Sequence, residues 1–475
     1  MAAEPQVLPL PSSAPARRRS TVLGERTPRG NSLPFHNRRP VLHPQPAAEP
    51  ASQVPSVANL TVCVVDMGLF LEIARVLGRA CKRVYYYVPW EARFPKLNEA
   101  AIGYGVEEIV LADSPFSVID ECDLFVFPDV YHGPLQRFLV RQGKAVWGSG
   151  GAERLELERN WCKQTMKAAG LPVGPYRVVR GVEGLREHLK SHPRQHVKLS
   201  KFRGHFESFF AKSYRLVEPR IDEIEWQLGP LKEDIEFTCE DDLAGRAEFG
   251  VDAYCVDGRL PERTLCGVEI KDRGFVGKVC DYAQLPEPMT RYDRAMAPLL
   301  ERLGYRGFYS TEVRIGKDHV PYMIDACCRA ASPPGELYQE LYANLPQIIA
   351  GGAQGVMVQP EIKAPWGAEL LLVSQWSDRN WQAVDFPPQY RQCVKLRNAV
   401  RRKGRWYVVP HNEGVTQIGA VIGYGQTRQQ AVDMARRIAA TVEGYDVEVF
   451  PDSLDQADEQ IDKARHIGLD ILGEK

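Results

Sequence analysis

The chain has 475 residues, 44% hydrophobic and 25% charged, with 60 Lys and Arg against 61 Asp and Glu and a net charge of −1. That balance gives no electrostatic case for nucleic acid or a membrane surface, and no apolar run reaches membrane-spanning length. Eleven scattered cysteines without a CxxC pair argue against a disulfide framework or structural zinc, and for a soluble, cytoplasmic protein of two to four domains.

Residues 1–58 are rich in Pro, Ala, Ser and Arg, with Arg17-Arg18-Arg19 and Arg38-Arg39. Such a segment buries too little apolar surface to offset its ordering entropy and is expected to be a disordered tail. Structure is expected from Leu60, where LTVCVVD (60–66) reads as a buried strand and Gly68 opens a helix through Leu71, Ala74 and Leu77. RVYYYVP (83–89), EEIVLAD (107–113), CDLFVFPD (122–129) and KAVWGS (144–149) read as further strands, with a helix at 133–142. Strands alternating with helices predict a parallel, doubly wound sheet over 59–152. It is Rossmann-like, but its first turn, Asp66-Met67-Gly68-Leu69, lacks GxGxxG, which disfavours a dinucleotide site.

A helix is expected over 153–169, stopping at Gly170. HVKLSKFRGHFESFF (196–210) reads as a strand holding Lys198, followed by a basic loop around Gly204. A lysine beside a Gly-containing loop suits phosphate, though strand-flanking lysines are also commonly solvated. From Glu233 the pattern turns antiparallel, with strands at 234–242, 248–260 and, as a single third strand, TLCGVEIKDRGFVGKV (264–279). Helices follow at 291–303 and 335–350. Residues 363–475 read as a small α+β domain with strands at 369–375, 393–398, 404–410 and 416–425, and helices at 427–442 and 454–467.

Between these helices lies FYSTEVRIGKDHVPYMIDACCR (308–329), an antiparallel hairpin turning at 317–320. That register sets Glu312 opposite Asp325 on one face, beside Ser310, Arg314, Met323 and Cys327. Tyr309, Val313, Ile315, Tyr322 and Ile324 fall on the other, core-like face. Opposed carboxylates weaken a strand pair, and a cation between them would relieve the repulsion. Hard oxygen donors in small number suit Mg2+. A solvated face with Arg314 as partial counter-ion remains the alternative reading.

The order of these features resembles the ATP-grasp ligases over residues 60–470, with phosphoribosylamine–glycine ligase nearest in domain order. The resemblance implies a Rossmann-like N-terminal domain, an ATP-grasp domain of two subdomains over 153–362 with a hinge near 238–248, and a small α+β C-terminal domain. ERNWCKQTMKAAGLPV (158–173) is similar to the family's Lys segment, with Arg159 at the lysine position. VKLSKFRG (197–204) puts Lys198 in the phosphate-contacting place. TCEDDLAGRAEFGVD (238–252) resembles the hinge, where the backbone near Glu240 and Asp241 would hold adenine and Glu248 the ribose; one inserted residue separates them from the family spacing. Glu312 is followed thirteen residues later by Asp325-Ala-Cys327-Cys-Arg329, like the family's acid and its Glu-x-Asn-x-Arg. This implies Glu312 and Asp325 as ligands of Mg2+ (or Mn2+) and Arg329 facing the transferred phosphate. Cys327 stands where the family has Asn, and a thiol is a poor Mg2+ ligand. Lys278 aligns with a phosphate-contacting, catalytic lysine.

The implied activity is an ADP-forming carboxylate–amine ligase that uses ATP and small-molecule carboxylate and amine substrates. The family's Gly-rich substrate segment is replaced by KDRGFVGKVCDYAQLP (271–286), so the substrates are expected to differ from phosphoribosylamine and glycine. Lys271, Asp272 and Arg273 are candidates to contact them. A phosphoribosylamine–glycine ligase with a diverged loop, and an inactive nucleotide-binding or structural module, are the alternatives.

Overall fold

The computed structural model describes residues 56–89, 101–201, 208–410 and 416–473. Most of the expected tail (1–55) and the loop around Gly204 (202–207) lie outside these residues.

The unbroken apolar run of β1 (Thr61–Val65) is buried on both faces, as a central parallel strand requires. With α1 (Leu71–Ala80), β2 (Arg83–Tyr87), β3 (Val110–Leu111), β4 (Leu124–Val126), α2 (Gly133–Arg141) and β5 (Ala145–Trp147) it forms a parallel sheet of order β3-β2-β1-β4-β5. The strand expected over 107–113 shrinks to two exposed residues at the sheet edge. The helix expected at 153–169 is broken at Glu158 into α3 (Arg154–Leu157) and α4 (Arg159–Ala168).

A smaller lobe follows. β6 (Tyr176–Arg180), α5 (Gly181–Ser191), β7 (Gln195–Leu199), β8 (Ser208–Ala211), α6 (Tyr214–Leu228) and β9 (Glu236–Asp241) make a four-stranded antiparallel sheet, β6-β9-β7-β8, with a core of its own. Residues 242–246 then carry the chain into a larger sheet.

That sheet begins with β10 (Ala247–Val256), β11 (Arg263–Ile270) and β12 (Gly274–Asp281). The single strand expected at 264–279 is thus a hairpin, turning at Lys271–Arg273 with Asp272 at φ 58. Next come α7 (Glu287–Arg302), β13 (Arg306–Ile315), β14 (Pro321–Cys327), α8 (Gly335–Leu341) and α9 (Leu345–Ala353); the last two replace the one helix expected at 335–350. Not all of the strands after residue 363 form a sheet of their own. β15 (Trp366–Val373), β17 (Val394–Leu396) and β20 (Gln417–Gly425) extend the larger one to eight strands, β14-β13-β10-β11-β12-β15-β20-β17. β16 (Gln382–Val384), β18 (Ala399–Arg402) and β19 (Arg405–Val408) form a small fourth sheet, and α10 (Arg428–Ala439) and α11 (Ala457–His466) follow. No helix among the described residues is long and apolar enough to cross a membrane.

A buried ionic cluster ties the added strands to α8. Arg397, 2% exposed, donates from Nε to Glu336 Oε1 at 2.7 Å and from Nη1 to Gln417 at 2.7 Å. Glu369, fully buried on β15, accepts from the Leu337 amide at 3.2 Å. Burial, then the neighbouring Glu336, pushes the Glu369 carboxyl well above the usual range.

Candidate active site

Along the larger sheet, side chains alternate between two faces, and the pairing register decides what shares the cleft. Gly250 pairs with Glu312 and with Gly267, Asp252 pairs with Ser310, and Glu269 pairs with Phe275. Glu312 pairs with Asp325 and Ser310 with Cys327. One face therefore carries Glu248, Gly250, Asp252, Glu269, Phe275, Ser310, Glu312, Asp325 and Cys327. Nearly all of these, with Thr311, Arg329 and Ala331–Pro334, line a cavity of about 90 Å³.

The hairpin turns at Gly316–His319, where the His319 amide donates to the Gly316 carbonyl at 2.9 Å. The expected opposition of Glu312 and Asp325 is present. The residues around it are not as expected, because the register shifts between Glu312 and Val313. This bulge puts an extra residue in β14, so Met323 pairs with Val313 and is buried, while Tyr322 and Ile324 are only half-buried. Met323 belongs to the core face, and Tyr322, paired with Arg314, to the other.

Carboxylates dominate the cavity. Burial first, then Glu248, Glu269 and Asp325, pushes the Glu312 carboxyl well above the usual range. Burial lifts Asp252 to about 8, with Glu269 adding to the rise; burial lifts Glu269 itself to about 7 against the pull of Lys271. These protonated carboxyls stabilise the fold fully below about pH 4, the ordinary carboxylate range. That stability is lost as pH rises through about 7 and about 8. Urea midpoints of the metal-free protein are expected to fall over that window, and a flat profile would mean that both groups ionise freely.

Cations close the cleft from the other side. Arg159, first residue of α4 and 6% exposed, forms an ion pair with Asp325. One turn later Lys163, which is not among the residues expected from sequence, binds Glu240 at 3.0 Å. Lys198 Nζ donates to the Ile324 carbonyl at 2.7 Å and lies 3.6 Å from the same Glu240. Burial, outweighing Glu240, lowers the Lys163 ammonium from its usual value, while Lys198 and Lys163 outweigh burial to hold the Glu240 carboxyl low. The 159/163 spacing, one helical turn on a helix entering the cleft, was the available signal for Lys163.

Glu248 accepts from Arg314 at 2.6 Å, and Asp241 accepts from Gln195 at 2.7 Å. Arg329 donates from Nε to Glu156 at 2.9 Å, and Glu156, 3% exposed on α3, also takes the Cys328 amide at 3.4 Å. Arg329 is thus aimed along the cavity wall by a buried carboxylate. Phe275 floors the cavity over two glycines: a Cβ at Gly267 or Gly277 would stand 2.4 or 2.5 Å from its ring.

Three expected residues fall elsewhere. Lys278 pairs with Cys266 and Trp366, on the alternate positions of β12, so it faces away from Glu312 and Asp325. There its Nζ donates to the Leu472 carbonyl at 2.7 Å and sits over the Trp366 ring. Lys278→Met is expected to loosen the C-terminal segment, lowering the melting temperature with Mg-ATP affinity unchanged in titration calorimetry. Arg273 stacks on Phe450, its guanidinium carbon 3.5 Å from the ring centroid, and Asp272 accepts from Gln417 at 3.3 Å. Of that turn Lys271 opposes the rise in Glu269 and Glu312, while the Asp272 charge adds to the rise in Glu269.

No family model and no curated protein matches the sequence. The fold does have solved counterparts. Phosphoribosylamine–glycine ligase from Thermotoga maritima superposes with a TM-score of 0.61 at 18% identity, over 82% of this chain and 98% of that one. Biotin carboxylase from Campylobacter jejuni, in complex with a β,γ-ATP ligand, gives 0.58 at 12% identity, over 84% and 96%. L-amino acid ligase from Bacillus licheniformis gives 0.55 at 13% identity, over 82% and 99%. At these identities the likeness is one of architecture, and it extends over nearly the whole of each counterpart: the chain has the ATP-grasp fold.

Proposed function

We propose that the protein is an ATP-dependent ligase that joins a carboxylate to an amine and releases ADP and phosphate. The observation that carries this reading is the opposition of Glu312 and Asp325 across the hairpin, in a cleft closed by Arg159 and Lys163 on α4 and by Lys198 on β7 of the smaller lobe.

Among the described residues no group of three His, Cys, Asp or Glu is arranged as a metal cage. Mg2+ seldom uses one, taking one or two carboxylates with phosphate and water. The crowding that lifts Glu312 is what a divalent cation would relieve, so the pair fits Mg2+, with Mn2+ as an alternative. When bound it would neutralise phosphate charge during transfer.

The chain's own groups divide the remaining work. The backbone near Glu240 and Asp241 holds adenine where the chain passes between lobes, and Glu248 holds the ribose. Lys198 and Arg159 exchange their present partners for phosphate oxygens, and Lys163 keeps Glu240 in place. A substrate carboxylate oxygen attacks the γ-phosphorus and ADP leaves; the amine then attacks the acyl carbon, loses a proton, and phosphate leaves. Phosphoryl transfer of this kind rests on positioning and electrostatics, so it needs no side-chain nucleophile. Arg329, held by Glu156, faces the phosphate.

Cys327, at the position of the family's Asn, favours a second reading: nucleotide binding without turnover. A thermal melt with Mg-ATP and a phosphate-release screen of amino acids and amines separate the two. A melt shift with amine-dependent phosphate release supports the ligase, a shift without release supports the second reading, and no shift overturns both.

A further inference from the structure

Of the four cavity carboxylates, two are accounted for by the metal pair, and Glu269 has Lys271 acting on it. Asp252 is different. It is 4% exposed, and the group that bonds its side chain is the neutral hydroxyl of Ser310. No ion pair involves it among the described residues. Its Oδ2 leans back across Gly250, where a Cβ would stand only 3.3 Å away. Since Gly250 pairs with Glu312, the carboxylate points along the row that leads to the phosphate end of the cleft.

A second polar group converges on the same spot. Tyr338, 2% exposed on α8, is wedged between Phe308 and Tyr342, and its hydroxyl has no hydrogen-bond partner among the described residues. After burial, the groups that act most on that hydroxyl are Asp252 and Cys327, both in the cavity wall. Gly335 packs beside it, where a Cβ would sit 3.5 Å from the oxygen. Burying a carboxylate and a hydroxyl with too few partners costs free energy, which a bound donor recovers. Arg329, the cation in this wall, is already engaged by Glu156. The partner must therefore come with the ligand, and a small cation is the group against which the Asp252 carboxyl, protonated in the empty cavity, gives up its proton and pairs.

We propose that Asp252, with Ser310 beside it and the Tyr338 hydroxyl behind it, forms the subsite that receives the ammonium group of the amine substrate. The amine is then a small primary amine or an amino acid, held by its nitrogen within reach of the acylphosphate formed over Glu312 and Asp325; the ammonium passes a proton to the Asp252 carboxylate, and the freed lone pair attacks the acyl carbon as phosphate leaves. Phe275, flat over its two glycines, supplies an aromatic face for the same cation. This assignment rests on the ligase reading and adds to it the class of the second substrate.

The test is steady-state phosphate release from Mg-ATP by the full chain, with methylamine, ethanolamine and the standard amino acids supplied in pairs. Wild type, Asp252→Asn and Tyr338→Phe are compared. Asp252→Asn is expected to raise KM for the productive amine by about 10- to 100-fold, the scale of a hydrogen bond to a charged group. KM for Mg-ATP stays constant, and Tyr338→Phe gives a smaller shift in the same direction. An unchanged amine KM in both variants overturns the subsite and leaves the ligase reading standing. A rise in the Mg2+ needed for half-maximal rate, with amine KM unchanged, makes Asp252 a metal group and also overturns it. No release by the wild type with any pair overturns both.

Discussion

Glu312→Gln is expected to lower Mg-ATP turnover by roughly 10²- to 10³-fold, the scale of removing one electrostatic group aimed at developing charge. Glutamine keeps the shape and removes the charge. The same substitution is expected to raise the melting temperature of the metal-free protein, because Glu312 sits buried beside Glu248, Glu269 and Asp325. Activity and stability then move in opposite directions, as expected of a residue kept for its chemistry. Phosphate release titrated with Mg2+, alongside thermal melts in EDTA, checks both signs. Undiminished turnover would remove Glu312 from the metal site, and a lowered metal-free melting temperature would make it a structural carboxylate.

The largest effect on stability is expected at Arg397, far along the same sheet. Arg397→Leu removes the cation that faces Glu336, with Glu369 close behind. Stripping one partner from a buried pair typically costs about 3–5 kcal/mol, most of it the penalty on the charge left behind. Urea unfolding should show that loss, and adding Glu336→Gln should recover a good part of it. If the double variant is no more stable than the single one, the cost lies in lost packing and not in the stranded carboxylate.

Much of the cleft was legible because it depends on spacing. The thirteen-position step from Glu312 to Asp325 marked the pair, but in the structure their opposition also needs the bulge, since Val313 pairs with Met323 and the extra residue brings Asp325 opposite Glu312. The bulge after Glu312 leaves no mark of its own in the sequence, and it alone reverses Met323, Tyr322 and Ile324. Lys278 shows the limit of alignment to a family. Its face is set by which residue of β12 pairs with Gly267, and reading 264–279 as one strand hid that pairing. The turn signal was present in Lys271-Asp272-Arg273-Gly274, where Asp272 takes a positive φ. Helices α5 and α6 escaped notice between stronger strand signals, and with them most of the smaller lobe's core. Asp252 looked like one more polar residue on a strand, because its lack of a cation is a property of burial and neighbours, not of sequence.

The unbroken run of the larger sheet from β14 to β17 bears on how the molecule can move. Eight hydrogen-bonded strands act as a stiff plate, so everything after residue 247 that belongs to it travels as one piece. Swinging motion is left to the four-stranded lobe, which joins the plate through residues 242–246. The contact between Lys198 and the Ile324 carbonyl then behaves as a clasp between lever and plate. On the proposed function, a nucleotide entering the cleft would trade this clasp for its own phosphates, and the lever's resting angle would be set by whichever partner holds Lys198.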